Sequence, residues 1–154
     1  MFEKTLLSNL VFNEDFTRKT LPFIKPDFFK GRDEVALFNI ISNFVIKYNN
    51  LPTKEAIEIE LSNDKTLTED EFKNTKTLLN SLQHEEVEQQ WLLDTTEKFC
   101  KDRAVYNAVL QGIKIIDGKD KKHTPEAIPS ILSEALGVSF DRHIGHDYLN
   151  QADD

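Results

Sequence analysis

The chain of 154 residues carries only one cysteine, five glycines, five prolines and one methionine. A single thiol, Cys100, excludes a disulfide within the chain, and its apolar, helix-patterned neighbours predict a reduced and buried side chain. Glycine is scarce and no period-two alternation of apolar residues is sustained, which excludes the turn-rich β architectures and leaves helix as the default. Positive charge is also short: 19 Lys and Arg stand against 27 Asp and Glu, for a net charge of −8 and a pI near 5.0. Gripping a nucleic acid backbone needs clustered Lys and Arg, so the expected partners of this chain are proteins, not DNA. No run approaches the ~18 apolar residues of a membrane span. The opening MFEKTLLSNLVF has neither the basic start nor the small-residue cleavage site of a secretion signal. These absences predict a soluble, cytoplasmic chain of one compact domain, or a domain with an appendage.

Helical periodicity dominates what is there. Leu6, Leu7, Leu10 and Val11 form one apolar face, Asn13 is placed to cap a second short helix carrying Phe16, and residues 26–29 make a short helical turn that points Phe28 and Phe29 inward. Over residues 33–48 the residues Val35, Leu37, Phe38, Ile41, Phe44, Val45 and Tyr48 recur at helical spacing, until Asn49-Asn50-Leu51-Pro52 breaks the run. Thr53 is placed to cap the next helix. In TLTEDEF, Thr68 and Glu71 form a capping box ahead of a helix burying Phe72, Leu78, Leu79 and Leu82. Residues 1–84 therefore predict an all-α globule of six short helical segments.

Residues 85–116 contain no proline and carry apolar residues along their whole length, predicting one helix of roughly 45 Å, longer than the preceding bundle is wide. DGKDKKH follows as a basic tip, with Lys119, Lys121 and Lys122 suited to a helix C-terminus. Thr124-Pro125 then opens a helix with Ile128, Ile131, Leu132, Ala135 and Leu136, closed by Gly137. Two helices joined by a short loop lie antiparallel, so residues 85–138 predict a helical hairpin. Residues 139–154, with Phe140, Gly145, His146 and Asp147, have weak periodicity and suit the start of a linker.

Candidate chemistry along the chain does not converge. QGIKIIDGKD resembles a phosphate loop, but five residues separate its glycines where four are needed. Asp120 stands where a hydroxyl should reach magnesium, and a helix running out at Gly118 accounts for the stretch. DRHIGHD offers His143, His146, Asp141 and Asp147 as metal ligands, without a second shell to orient them. A metal phosphohydrolase of the HD type would use the His146-Asp147 doublet, yet that doublet lies eight residues from the end and its upstream histidines fall in turns. Cys100 lies mid-helix among apolar residues and suits a core position better than a nucleophile. The acidic clusters sit in first turns, where the helix dipole favours them. No catalytic residue, metal site or cofactor is expected.

The apolar stripe of the long helix has only a short partner helix to cover it, so part of it is expected to meet another molecule. Trp91, Phe99, Val109, Ile113, Ile128, Leu132 and Leu136 are the candidates for hairpin core and pairing surface.

In order and length these pieces resemble the N-terminal domain of DnaB-type replicative helicases, with particular likeness to those of T-even-type bacteriophages. The likeness runs through LLSNLVFNEDF, KYNNLPTKEAI, LLDTTEKFCKDRAVYNA and AIPSILSEALGVSFD, followed by GHDYL, none of them a catalytic signature. The resemblance implies a collar: hairpins pair the domains into dimers, three dimers form a hexameric ring, and the collar receives primase and a helicase loader. It also implies that ATP, Mg and DNA are handled by a RecA-like motor beyond the linker, in the cytoplasm of the host. A small, stand-alone phage regulator that binds a host protein is the alternative expectation.

Overall fold

The computed structural model describes residues 1–140. Asp141, His143, Gly145, His146 and Asp147 lie outside the described residues, and the linker expected there is not described further. Among the described residues every regular element is helical, as the composition predicts. The chain divides into two units, Met1–Gln89 and the residues from Gln90 onward.

The first unit contains α1 (Phe2–Phe12), α2 (Glu14–Thr20), α3 (Arg32–Tyr48), α4 (Lys54–Ser62) and α5 (Glu69–Ser81), with 3-10 turns at Leu21–Phe23 and Pro26–Phe28. The predicted segments are all present, and the turn at Leu21–Phe23 is an addition. Side-chain caps define the helix starts. Asn13 accepts from the Phe16 amide at 3.2 Å, Thr53 from the Ala56 amide at 3.0 Å and Thr68 from the Glu71 amide at 3.1 Å. Glu71 completes the capping box by accepting from the Thr68 amide at 2.9 Å. Helix α3 ends at Asn49, which adopts the left-handed conformation at φ 56° and donates its amide to the Val45 carbonyl. Arg18 donates to both the side chain and the carbonyl of Asn49, tying α2 to the end of α3.

Helix α3 packs against α5, α4 and α1. The core joins Leu6, Leu7, Leu10, Phe16, Leu37, Phe38, Ile41, Ile57, Leu61 and Leu79, all at most 2% exposed. Each such side chain stabilises the fold by roughly 1.5–3 kcal/mol. Phe28 and Phe29 point inward as predicted, and the Phe29 ring lies 5.2 Å from that of Phe38. The buried Thr17 hydroxyl donates to the Asn13 carbonyl and lies 3.0 Å from that of Leu10, so the join between α1 and α2 leaves that polar group satisfied.

One boundary differs from expectation. The long helix, α6, spans Gln89–Ile116 and does not begin at Glu85. Residues 85–88 stay outside the helix although no proline or glycine breaks the run there. With 28 residues α6 is about 42 Å long. A 3-10 turn at Pro125–Ala127 then leads into α7 (Ile128–Leu136). The Thr124 side chain caps no amide there, and Pro129 lies in the first turn of α7, where a helix tolerates proline. Gly112 lies against Ile128, and Glu97 bonds to Ser139 and Phe140. These two pairings run in opposite chain directions and make an antiparallel hairpin.

Candidate functional site

Helix α6 has two unlike faces. Its buried positions are Leu92, Thr96, Cys100, Ala108, Gly112 and Ile115, mostly small residues about one turn apart. At Gly112 an added Cβ would stand 3.6 Å from the Ile128 Cγ2, so backbone and side chain come close without crowding. The other face, over the C-terminal half, presents Tyr106, Val109, Leu110, Ile113 and Ile116 at spacings of three and four. All five are between 40% and 71% exposed. Five large apolar side chains thus stand exposed in one row while the buried face, Leu92 and Ile115 apart, is made of small residues, a distribution that internal packing of the hairpin does not explain.

The predicted surface residues separate accordingly. Trp91, Val109, Ile113 and Leu136 are exposed, whereas Phe99, Ile128 and Leu132 are half-buried, with Ile128 against Gly112. Tyr106, Leu110 and Ile116 belong to the same exposed row as Val109 and Ile113. Their three-and-four spacing is visible in the sequence, but which face α7 covers is not.

At the tip, Gly118 takes φ +77°, where a side chain would be strained, and the helix runs out there as predicted. Lys119, Lys121 and Lys122 are exposed. Asp120 organises the turn: it accepts from the Lys122 amide at 2.9 Å and lies 3.1 Å from the His123 Nδ1. The Lys122 amide first, then His123 and Gln111, hold its carboxyl below the ordinary aspartate range.

At the other end of the hairpin, Glu97 accepts from the Ser139 hydroxyl at 3.2 Å and from the Phe140 amide at 2.5 Å. Phe140, expected in the linker, is 4% exposed. Sequence reasoning missed Glu97, which reads as one more acid on a charged helix. Burial, with Glu97 adding to it, pushes the Cys100 thiol up to about 12, so the side chain is an inert thiol at neutral pH, as its setting predicts. Among the described residues no three His, Cys, Asp or Glu side chains gather as a metal site, and no helix is long and apolar enough to cross a membrane. On the first unit, a shallow groove of about 400 Å³ is lined by Thr17, Leu21, Pro22, Ser42, Val45 and Ile46; its charged lining residue, Arg18, is engaged by Asn49.

An all-helical chain with collinear likeness along its length and no gathered reaction centre among its described residues is, by sequence, a relative of the DnaB-like replicative helicases. No protein-family profile matches it. Over 153 residues it is 31% identical to the DnaB-like replicative helicase of Enterobacteria phage T4, a match covering 94% of this chain and 32% of the relative. The chain thus spans about a third of the length of the relative it matches, the pattern that a single N-terminal domain gives.

Proposed function

We propose that this chain is the collar domain of a phage replicative helicase, and that it pairs with a second copy through the outward row on α6. Tyr106, Val109, Leu110, Ile113 and Ile116 carry the proposal, because five large apolar side chains at least 40% exposed on one helix leave a face that association would cover. Kinship with a DnaB-like replicative helicase supports the same reading. In it, hairpin-paired dimers assemble three at a time into a hexameric ring, and the ring's outer surface, with Lys119, Lys121 and Lys122 at the hairpin tip, receives primase and a loader. ATP, Mg and DNA belong to a motor domain beyond the linker of the full protein, which works at the replication fork in the host cytoplasm. The net charge of −8 accords with a collar that leaves DNA contact to that motor.

Placing a carboxylate in the row tests the pairing. Val109→Asp and Ile113→Asp each weaken self-association by at least roughly thirtyfold in light scattering, as loss of a central apolar anchor does. The helical circular dichroism of both variants stays that of the parent chain, since the two positions are exposed. A mass unchanged in both would remove this row from the interface.

A further inference from the structure

Helix α4 has no basic residue in its last turn, where the dipole would favour one; it carries Glu60 there, and Asp64 stands just beyond its end. Neither carboxylate has an ion-pair partner among the described residues, and Asp64 accepts from the Thr66 amide and hydroxyl through its Oδ1 alone. On the neighbouring helix, α3, Phe44 and Tyr48 stand one turn apart, with ring centroids separated by 4.7 Å and planes inclined at 50°. These four side chains, with Ile40 and Lys47, line a cleft of about 160 Å³ on the first unit. Tyr48 is 50% exposed, and the Lys47 ammonium lies 5.2 Å from its ring centroid, so the ring face already receives a cation. Two carboxylates against one ammonium leave the cleft negative, over an apolar and aromatic floor.

We propose that this cleft binds an arginine side chain of a partner protein. A guanidinium is planar and weakly hydrated, so it lies flat on an aromatic face while its fork reaches carboxylates at the rim; the compact, strongly hydrated lysine ammonium does both less well. The described arginines of this chain are engaged elsewhere: Arg18 with Glu14 and Asn49, Arg32 with Glu71, and Arg103 over the Phe99 ring. Arg142 lies outside the described residues. On the collar reading, on which this inference rests, the partner is a protein that the collar receives, and the exposed row of α6 takes no part in the contact.

Titration of the isotope-labelled whole chain with the peptide N-acetyl-Ala-Arg-Ala-amide, followed by NMR, tests it beside the same peptide carrying lysine or citrulline, the uncharged isostere of arginine. The arginine peptide shifts the amides of residues 40–48 and 60–64 saturably, the lysine peptide binds more weakly, and the citrulline peptide leaves them in place. Glu60→Gln and Tyr48→Ala each weaken binding roughly threefold, with the helical circular dichroism of the parent chain retained. Glu86→Gln, which removes an exposed acid outside the cleft, leaves binding unchanged. No saturable shift at these amides with the arginine peptide, or an equal shift with citrulline, overturns the proposal. So does a loss in Glu86→Gln equal to that in Glu60→Gln, because the acidic surface as a whole would then attract the peptide. Cleft amides that move on dilution of the chain alone, or in Arg142→Ala, overturn it too, because the protein would be filling the cleft with its own side chains. A parent chain that is monomeric would defeat the pairing reading while leaving the peptide titration intact, so the two failures are distinguishable.

Discussion

Large apolar side chains fill the core of the bundle, although Ile46 and Ile59 stand out of it; on the C-terminal half of α6 five of them form one exposed row, beside a buried face that holds Ile115. Phe16, Leu37, Phe38 and Ile41 are at most 2% exposed, while Val109, Ile113 and Ile116 are 46–71% exposed and the positions turned inward are Ala108, Gly112 and Ile115. Both regions obey the same helical spacing. Helix α3 packs against α5, α4 and α1, whereas on the C-terminal half of α6 the buried positions Ala108, Gly112 and Ile115 make a single stripe. Apolar periodicity thus marks a face, and the size of the residues on the covered face tells whether a second face remains.

Substitutions that treat the two regions alike should break this comparison, and those with the largest effects lie in the bundle. Phe38→Ala is expected to cost about 3–5 kcal/mol in urea unfolding, as for a fully buried aromatic whose cavity cannot collapse. Ile113→Ala, by contrast, is expected to change the unfolding free energy of the dilute chain by no more than about 0.5 kcal/mol, the range of surface changes. Equal losses at the two positions would mean that Ile113 is core. Next in size, Thr68→Ala removes the hydroxyl that caps α5 and costs about 1 kcal/mol, read in the same urea titration. On the hairpin, Gly112→Ala is expected to be neutral or to stabilise by up to about 1 kcal/mol, because alanine favours helix and its methyl would meet Ile128 at an ordinary contact distance. Gly112→Leu should instead push α7 off and lower the melting temperature.

The smallest effect is one of pH. The Thr68 amide first, with Arg32 adding, holds the Glu71 carboxyl below its ordinary value of 4.5. A depressed carboxyl contributes stability above the unfolded value that is lost as the pH falls through the folded one, so the urea midpoint should drop on acidification below about that value. Glu71→Gln should flatten the part of that slope due to Glu71. An identical acid slope in the variant would show that the capping box does not couple to the titration.

Much of the fold is legible in the sequence because its signals are local. Asn13, Thr53 and the Thr68–Glu71 box announce helix starts within three residues, and Leu6, Leu7, Leu10 and Val11 mark a face by spacing alone. Signals that depend on a distant partner are not legible. The start of α6 at Gln89 is one such case: the uninterrupted run pointed to a start at Glu85, and no local breaker marks the true one. Ile128 and Val109 look equally apolar in the sequence, yet one meets Gly112 and the other is exposed, which only the register of α7 on α6 decides. Glu97 could not be singled out at all, because its partners lie more than forty positions away.

Sedimentation equilibrium of the unmodified chain across a range of concentrations tests most directly whether the outward face of α6 is covered by another copy. The expected result is an average mass that rises with concentration above the 17.8 kDa of one chain and returns to it in Ile113→Asp. A mass that stays at one chain throughout would contradict the account.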